Sequence, residues 1–318
     1  MNQNAIRRIV IGANMHAEIR DALRVVRPEL DVRGARYTDV TAGDLAWGDA
    51  YIGFKRPPAG SMGAIRWVHC TGAGVDGWLA PDGAGEALPA SIALTRTSES
   101  FGPRIAEWTL ARALAITQNL FALRDAQLAR QWVQREPAEL RDANVLVVGT
   151  GDIGTSVARL FSAMGCSVTG VSRTGGDAAP PFNKRATVDA LPELVGDAAW
   201  IVLTLPLTGS TRGLFGRVLL QRCRGAILLN VGRGGVVDEA SLPEALNSGW
   251  LRGAALDVFE TEPLPPTSPL WDDARVIVSP HISGITTVEG VVDGFVECLD
   301  AFGRGETPRW LVDRETGY

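Results

Sequence analysis

Short apolar runs alternate with longer stretches of mixed polarity along most of this chain. A strand-like run over 6–12 contains Ile9-Val10-Ile11, and another lies at 50–54. Between them, the apolar positions of 17–27 recur at helical spacing. Arg66-Trp67-Val68-His69-Cys70 reads as a further strand that runs into Thr71-Gly72-Ala73-Gly74-Val75-Asp76, a glycine-rich turn opening a helix. Pro81-Asp82-Gly83-Ala84-Gly85 reads as a loop. From Ile105 to about Gln134 the residues Ile105, Trp108, Leu110, Leu114, Ile116, Leu120 and Leu123 predict one long or slightly broken helix, uninterrupted by Gly or Pro. A regular alternation follows, with strand-like runs at 144–148, 167–171, 199–204, 226–231, 254–258 and 275–279 and helical stretches between most of them. That is the pattern of a parallel sheet with crossover helices. The stretch from Thr287 to Phe302 is helical again, with Val291, Val292, Phe295, Leu299 and Phe302 on one face. The reading is an α/β chain of two Rossmann-like doubly wound domains. One is discontinuous, over 1–97 and 282–318, and the other, over 98–281, is inserted into it.

Composition narrows the function without changing this picture. The chain has 318 residues, 46% hydrophobic and 21% charged, enough for two ordinary folded cores. A net charge of -5 and the lack of any long basic run argue against nucleic acid or an anionic membrane as the main partner. The start of the chain shows no charged-then-apolar leader pattern, and no apolar stretch reaches spanning length, so a cytoplasmic protein is expected. Cys70, Cys166, Cys223 and Cys298 lie far apart with no CxxC pair, which reads as buried free thiols in a reducing compartment. Three histidines without paired ligand spacing predict no metal site.

The first chemistry is Gly149-Thr150-Gly151-Asp152-Ile153-Gly154. It follows the strand-like Asn144–Val148 and opens a helix whose apolar face is Ile153, Val157, Leu160, Phe161 and Met164, with Gly165 as its cap. In that context Gly149 permits the tight turn, Gly151 the approach of a pyrophosphate, and Gly154 close helix–strand packing. The helix start, at Asp152 and Ile153, offers free N–H groups to phosphates. The bland alternative is a glycine-rich turn by chance. The next strand ends at Ser172-Arg173-Thr174, where an NAD site usually places an acid. Arg173 can instead pair with a 2′-phosphate while Ser172 and Thr174 donate hydrogen bonds, which favours NADP. NAD is the alternative, with Arg173 merely stacked on the adenine.

Three later segments each follow a buried-strand run: Asn230-Val231-Gly232-Arg233-Gly234, Asp257 to Pro263, and Ser279-Pro280-His281-Ile282-Ser283-Gly284. In an open parallel sheet, ligands sit beyond the carboxyl ends of the strands, so Arg233, Glu262 and His281 are expected in one crevice. A cation, a carboxylate and an imidazole together can bind an acid and move a proton. Reduction of a carbonyl needs a hydride on carbon and a proton on oxygen. His281 is the candidate donor, Glu262 its partner, and Arg233 the group that orients and polarises the substrate. Ala73, Gly74 and Val75 offer backbone N–H groups to the substrate carboxylate. Each residue also has a structural reading: Arg233 as a surface residue, Glu262 as a loop cap with Glu260 the rival carboxylate, His281 as a satisfied histidine.

These motifs, with Leu203-Thr204-Leu205-Pro206-Leu207-Thr208 and Thr211-Arg212-Gly213-Leu214, resemble the D-isomer-specific 2-hydroxyacid dehydrogenases over nearly the whole chain, most sharply across 143–284. The likeness is strongest to the glyoxylate/hydroxypyruvate reductase branch, which often prefers NADPH. The resemblance implies a catalytic Arg at Arg233, Glu at Glu262 and His at His281. It puts Leu205, Pro206, Thr211, Val231, Gly232, Ser283 and Gly284 beside the cofactor, with Asp257 on the nicotinamide side. It implies an oxidoreductase acting on a small 2-keto or 2-hydroxy acid, and a homodimer in which Trp132 and the helix near it form an arm; a core or surface tryptophan is the alternative. Two further readings stay open: a dehydrogenase of a larger 2-keto acid, and a cofactor-sensing corepressor on the same fold.

Overall fold

The computed structural model describes residues 6–79, 87–97 and 101–317, so the loop read at 81–85 lies outside the described residues. The chain divides into two compact units, Met1–Phe101 with Thr286–Tyr318, and Gly102–Ile285.

The first unit is built on five parallel strands: β1 (Arg8–Gly12), β2 (Asp31–Ala35), β3 (Ala50–Ile52), β4 (Trp67–Cys70) and β5 (Ala93–Arg96), in the order β2-β1-β3-β4-β5. The helix His16–Val26 buries Ile19 and Leu23 and exposes Glu18, Asp21 and Arg24, with Val25 and Val26 also exposed at its end. The helix Val288–Gly303 brings Val291, Phe295, Cys298, Leu299 and Phe302 into one cluster with Ile9, Ile11 and Trp67. The Trp67 indole stacks on Phe295 with ring centroids 4.5 Å apart. The sequence places that apolar face correctly. It does not announce β2, whose Asp31-Val32-Arg33-Gly34-Ala35 carries a single buried apolar side chain.

The second unit holds seven parallel strands: β6 (Asn144–Val148), β7 (Ser167–Ser172), β8 (Lys184–Thr187), β9 (Trp200–Leu203), β10 (Ala226–Asn230), β11 (Leu251–Leu256) and β12 (Val276–Val278). Their order is β12-β11-β10-β9-β6-β7-β8. The strand order reverses between β6 and β9, and a doubly wound sheet opens its ligand crevice at such a switch point. β9 and β10 are buried along their whole length, as their unbroken apolar runs require.

Two expectations are corrected here. β11 starts at Leu251 rather than at 254: Arg252 and Gly253 interrupt the apolar run, but the Arg252 guanidinium lies over the Trp200 ring, 5.9 Å from its centroid. The helix read as long or slightly broken to about Gln134 is broken into two, Gly102–Thr117 and Leu120–Leu128, and ends at Leu128. Asn119 between them takes a left-handed φ of 55°. The chain after the second helix folds back: the Ala138 N–H donates to the Thr117 carbonyl, and the Gln118 and Asn119 side chains donate to the carbonyls of Ala138 and Glu136. Those bonds satisfy backbone that a continuous helix would have used itself.

Candidate active site

The dinucleotide loop leaves β6 at Gly149, whose φ of 108° favours glycine. A Cβ on Gly154 would stand 1.8 Å from the Gly149 carbonyl oxygen, so the helix Asp152–Ala163 packs against the loop only because that side chain is absent. Around Gly151 a Cβ would meet nothing within 4 Å, so its side faces open space that a phosphate can enter. The Thr204 hydroxyl, just past β9, donates to the carbonyls of Val148 and Gly149 and fixes the turn from below. Asp152 and Ile153 are half-buried in the first turn of the helix. Ser172 ends β7 and donates through its hydroxyl to the Gly175 carbonyl at 3.2 Å, while Arg173 and Thr174 are exposed beside it. Leu205 and Pro206 follow β9, and the Thr211 hydroxyl closes their loop by donating to the Pro206 carbonyl at 2.7 Å.

Arg233 is carried on a turn pinned from beneath. Asn230, buried at the end of β10, accepts from the Gly232 N–H and donates to the Arg233 carbonyl. Val231 and Gly232 are buried. A Cβ on Gly232 would stand 2.6 Å from the Leu205 carbonyl oxygen, and one on Gly234 would overlap the backbone of Phe259. The glycines thus bring three loops into contact and leave the half-buried Arg233 side chain at their junction.

His281 and Glu262 meet there. His281 Nδ1 lies 2.8 Å from Glu262 Oε2, and the other Glu262 oxygen accepts from the Phe259 N–H at 3.1 Å. Burial works against the charge on Glu262. Hydrogen bonds from His281 and Phe259, with the positive charges of His281 and Arg233, outweigh it and hold the carboxyl below the usual glutamate range. The His281 side chain is 42% exposed. Its backbone has a left-handed φ of 52°.

Asp257, expected on the nicotinamide side, is buried beneath the His281 loop. It accepts from the Ser279 hydroxyl, from the Ile282 N–H at 3.0 Å and from the Ser283 N–H at 2.8 Å. The loop turns sharply at His281, and this carboxylate satisfies the N–H groups that follow. Ser283 is buried and Gly284 half-buried after it. Asn230 and Ser279 are the residues that sequence reasoning quoted without giving a task; a buried polar residue at the end of each apolar run was the available signal.

In the other unit, Ala73 and Gly74 are half-buried and Val75 is buried. The Ala73 carbonyl accepts from Arg96 at 2.9 Å, which braces this turn against β5. Among the described residues no group of three His, Cys, Asp or Glu side chains can hold a metal ion, and the four cysteines are buried free thiols. No helix among the described residues is long and apolar enough to cross a membrane.

Comparison with known proteins fits this geometry. The pattern of the D-isomer specific 2-hydroxyacid dehydrogenase, NAD binding domain, matches residues 110–283. A glyoxylate/hydroxypyruvate reductase A of Klebsiella pneumoniae is 31% identical over 298 residues, covering 91% of this chain and 94% of its own. A D-isomer specific 2-hydroxyacid dehydrogenase of Xanthobacter autotrophicus Py2, solved with NADPH and MES, is 33% identical with a TM-score of 0.89 over 99% of this chain and 100% of its own. The NADPH-dependent glyoxylate/hydroxypyruvate reductase of Sinorhizobium meliloti, solved with NADP and sulfate, is 28% identical with a TM-score of 0.85 over 98% of this chain and 100% of its own. Sequence and fold therefore agree along almost the full length, and the chain belongs to the D-isomer specific 2-hydroxyacid dehydrogenase family, a family of oxidoreductases.

Proposed function

We propose that this protein reduces small 2-keto acids of the glyoxylate or hydroxypyruvate type to D-2-hydroxy acids, with NADPH favoured over NADH. The observation that carries the reading is the 2.8 Å contact between His281 Nδ1 and Glu262. With Nδ1 held by a carboxylate, the remaining nitrogen, Nε2, is the one free to give a proton. Glu262 fixes the orientation of the ring. His281 then protonates the carbonyl oxygen as C2 is reduced. Arg233 binds the substrate carboxylate and polarises the carbonyl through its planar fork.

The unit Gly102–Ile285 is the dinucleotide-binding domain in this reading, and the other unit the substrate domain. Gly149, Gly151 and Gly154 fit a dinucleotide, since the Gly151 side is open and the helix start faces it. Asp152 and Ile153 line the pyrophosphate, Ser172, Arg173 and Thr174 the adenosine, and Leu205, Pro206, Thr211, Val231, Gly232, Ser283 and Gly284 the rest. When bound, the nicotinamide supplies the hydride. NADPH is supported by the exposed Arg173 in place of an acid at the end of β7, and by the NADP ligands of the Xanthobacter and Sinorhizobium relatives. The turn at Ala73, Gly74 and Val75 would offer N–H groups to a carboxylate. The chain is read as a homodimer, supported by exposed Leu120, Phe121, Leu128 and Trp132.

Initial rates with NADPH and NADH across glyoxylate, hydroxypyruvate, pyruvate and bulkier aryl keto acids test this. Turnover of the small acids with NADPH is the expected result. Preference for the aryl acids would move the assignment to a larger substrate. Nucleotide binding without turnover of any acid would leave a cofactor-sensing binding protein.

A further inference from the structure

The edge of the second sheet carries an arginine that the proposed mechanism does not use. Arg185 on β8 is paired in register with Gly170 on β7, so the two side-chain positions share one face of the sheet. A Cβ on Gly170 would stand 2.7 Å from the Phe182 ring and 2.8 Å from the Thr150 methyl. The missing side chain lets Thr150, and with it the dinucleotide loop, settle onto β7. Arg185 crosses the same face. Its guanidinium lies over the Phe182 ring, 5.6 Å from the centroid, and its Nη2 donates to the Thr150 hydroxyl at 2.8 Å. On the other side, Nη1 is 3.4 Å from the point where a Cβ on Gly176 would stand.

Thr150 belongs to the loop that would take the pyrophosphate. Gly176 belongs to the loop that leaves β7 through Ser172, Arg173 and Thr174. One guanidinium therefore spans from the first loop to the second, where the ribose 2′ position of a dinucleotide would lie. Arg185 is half-buried and forms no ion pair among the described residues. Its Nε is buried without a hydrogen-bond partner among them. A neutral hydroxyl and an aromatic face orient such a cation without neutralising it. A half-buried charge held this way is stabilised when a ligand brings the anion.

We propose that Arg185 is the second cation of a 2′-phosphate pocket and sets the cofactor preference together with Arg173. The inference rests on the NADPH reading above. Thr150 and Phe182 act as positioning residues, holding the fork so that little freedom is lost when the phosphate arrives.

The test compares adenosine 2′,5′-bisphosphate with adenosine 5′-monophosphate, by calorimetric titration at fixed ionic strength, without any turnover. In the unaltered protein the bisphosphate should bind more tightly. Arg185→Met keeps an unbranched stem over Phe182 and removes the charge. It should weaken the bisphosphate by about tenfold or more, the usual scale for a lost charge-assisted bond, and change the monophosphate by less than about twofold. Thr150→Val keeps the cation but frees it, and should lower the same ratio by less. Equal losses of both ligands in Arg185→Met, or no loss, would overturn the role of Arg185 while leaving NADPH use intact. If the unaltered protein showed no preference for the 2′-phosphate, the NADPH reading would fall and Arg185 with it. A preference that disappears only in Arg173→Gln would assign the phosphate to Arg173 alone and sink the proposal.

Discussion

His281 stands at a backbone geometry that a side-chain-bearing residue rarely adopts, and several bonds hold it there. Its own N–H is shared between the carbonyls of Asp257 and Ser279, and the next two N–H groups end on the Asp257 carboxylate. A left-handed residue of this kind costs roughly 1–3 kcal/mol and persists where its surroundings over-determine it. Here the outcome is an imidazole aimed by its backbone and then fixed by Glu262. His281→Ala should lower kcat for keto-acid reduction by about 10²–10⁴-fold, the usual contribution of a general acid, with the NADPH dissociation constant unchanged. Full turnover in that variant would remove His281 from the reaction. Glu262→Gln tests the partner separately. The Glu262 carboxyl is held below the ordinary glutamate range, so it stays charged until the medium is more acidic than that range, and the pairing with His281 weakens only as the pH falls through the lowered value. The glutamine variant removes the anion at every pH. With no carboxyl left to titrate, the reduction profile should lose the acid limb set by Glu262. An unchanged pH–rate profile would make Glu262 a structural cap of its loop.

At the scale of elements, the strand ends do the positioning, and their buried polar anchors show how. Asp49, one residue before β3, accepts from the N–H groups of Arg7 and Arg8 at 3.0 and 2.9 Å and also binds the side chains of Arg8 and Arg66. It thereby ties the starts of β1, β3 and β4. Burial opposes its charge, but the hydrogen bonds from Arg8 and Arg7 outweigh it and bring the carboxyl from 3.8 down to about 2. A carboxyl lowered on folding adds stability that is present above its ordinary value and is lost as the pH falls through the folded one. Asp49→Asn should therefore cost about 1–2 kcal/mol at neutral pH, allowing for screening by water. Urea titrations at a series of pH values should show that difference shrinking between roughly pH 4 and pH 2 and not at higher pH. A difference independent of pH would mean that the amide fails for packing reasons rather than charge. The same strands show which parts of the fold were legible. β6, β9 and β10 sit inside their sheet and are written as apolar runs. β2, β5 and β8 are edge strands with mixed sequences such as Lys184-Arg185-Ala186-Thr187, so periodicity passes over them. The places of Arg233, Glu262 and His281 were legible because each lies just past the carboxyl end of a strand written as an apolar run, even where that strand is the half-buried edge strand β12. The buried task of Asp257 was not, because it depends on a loop 22 or more residues away in sequence. Arg185 was missed for the same reason: its partner Thr150 is 35 residues earlier.

At the scale of the whole molecule, the chain leaves an apolar segment uncovered. The helix Leu120–Leu128 buries none of its side chains, and Leu120, Phe121, Leu128 and Trp132 are exposed, Trp132 at 93%. The Ala138 N–H and the side chains of Gln118 and Asn119 pin the returning chain to the end of the preceding helix, so this segment is held as a defined projection. Scattered single apolar residues on a surface need no explanation, but several large ones within thirteen residues of chain call for one. A stable association takes about 800 Å² from each partner, and buried aromatic side chains supply roughly 150–250 Å² each. Phe121 and Trp132, with the leucines between them, can furnish much of that area. A second copy supplies the same patch by symmetry, and a two-fold pair is the commonest such arrangement. Light scattering coupled to size exclusion should therefore give twice the chain mass for the unaltered protein at micromolar concentration. Leu128→Glu combined with Trp132→Glu puts two like charges on each side of the contact and should yield a monomer with an unchanged far-ultraviolet spectrum, since neither side chain packs inside its own chain. A monomer before substitution would refute the dimer, and a dimer that survives both charges would place the interface on another face.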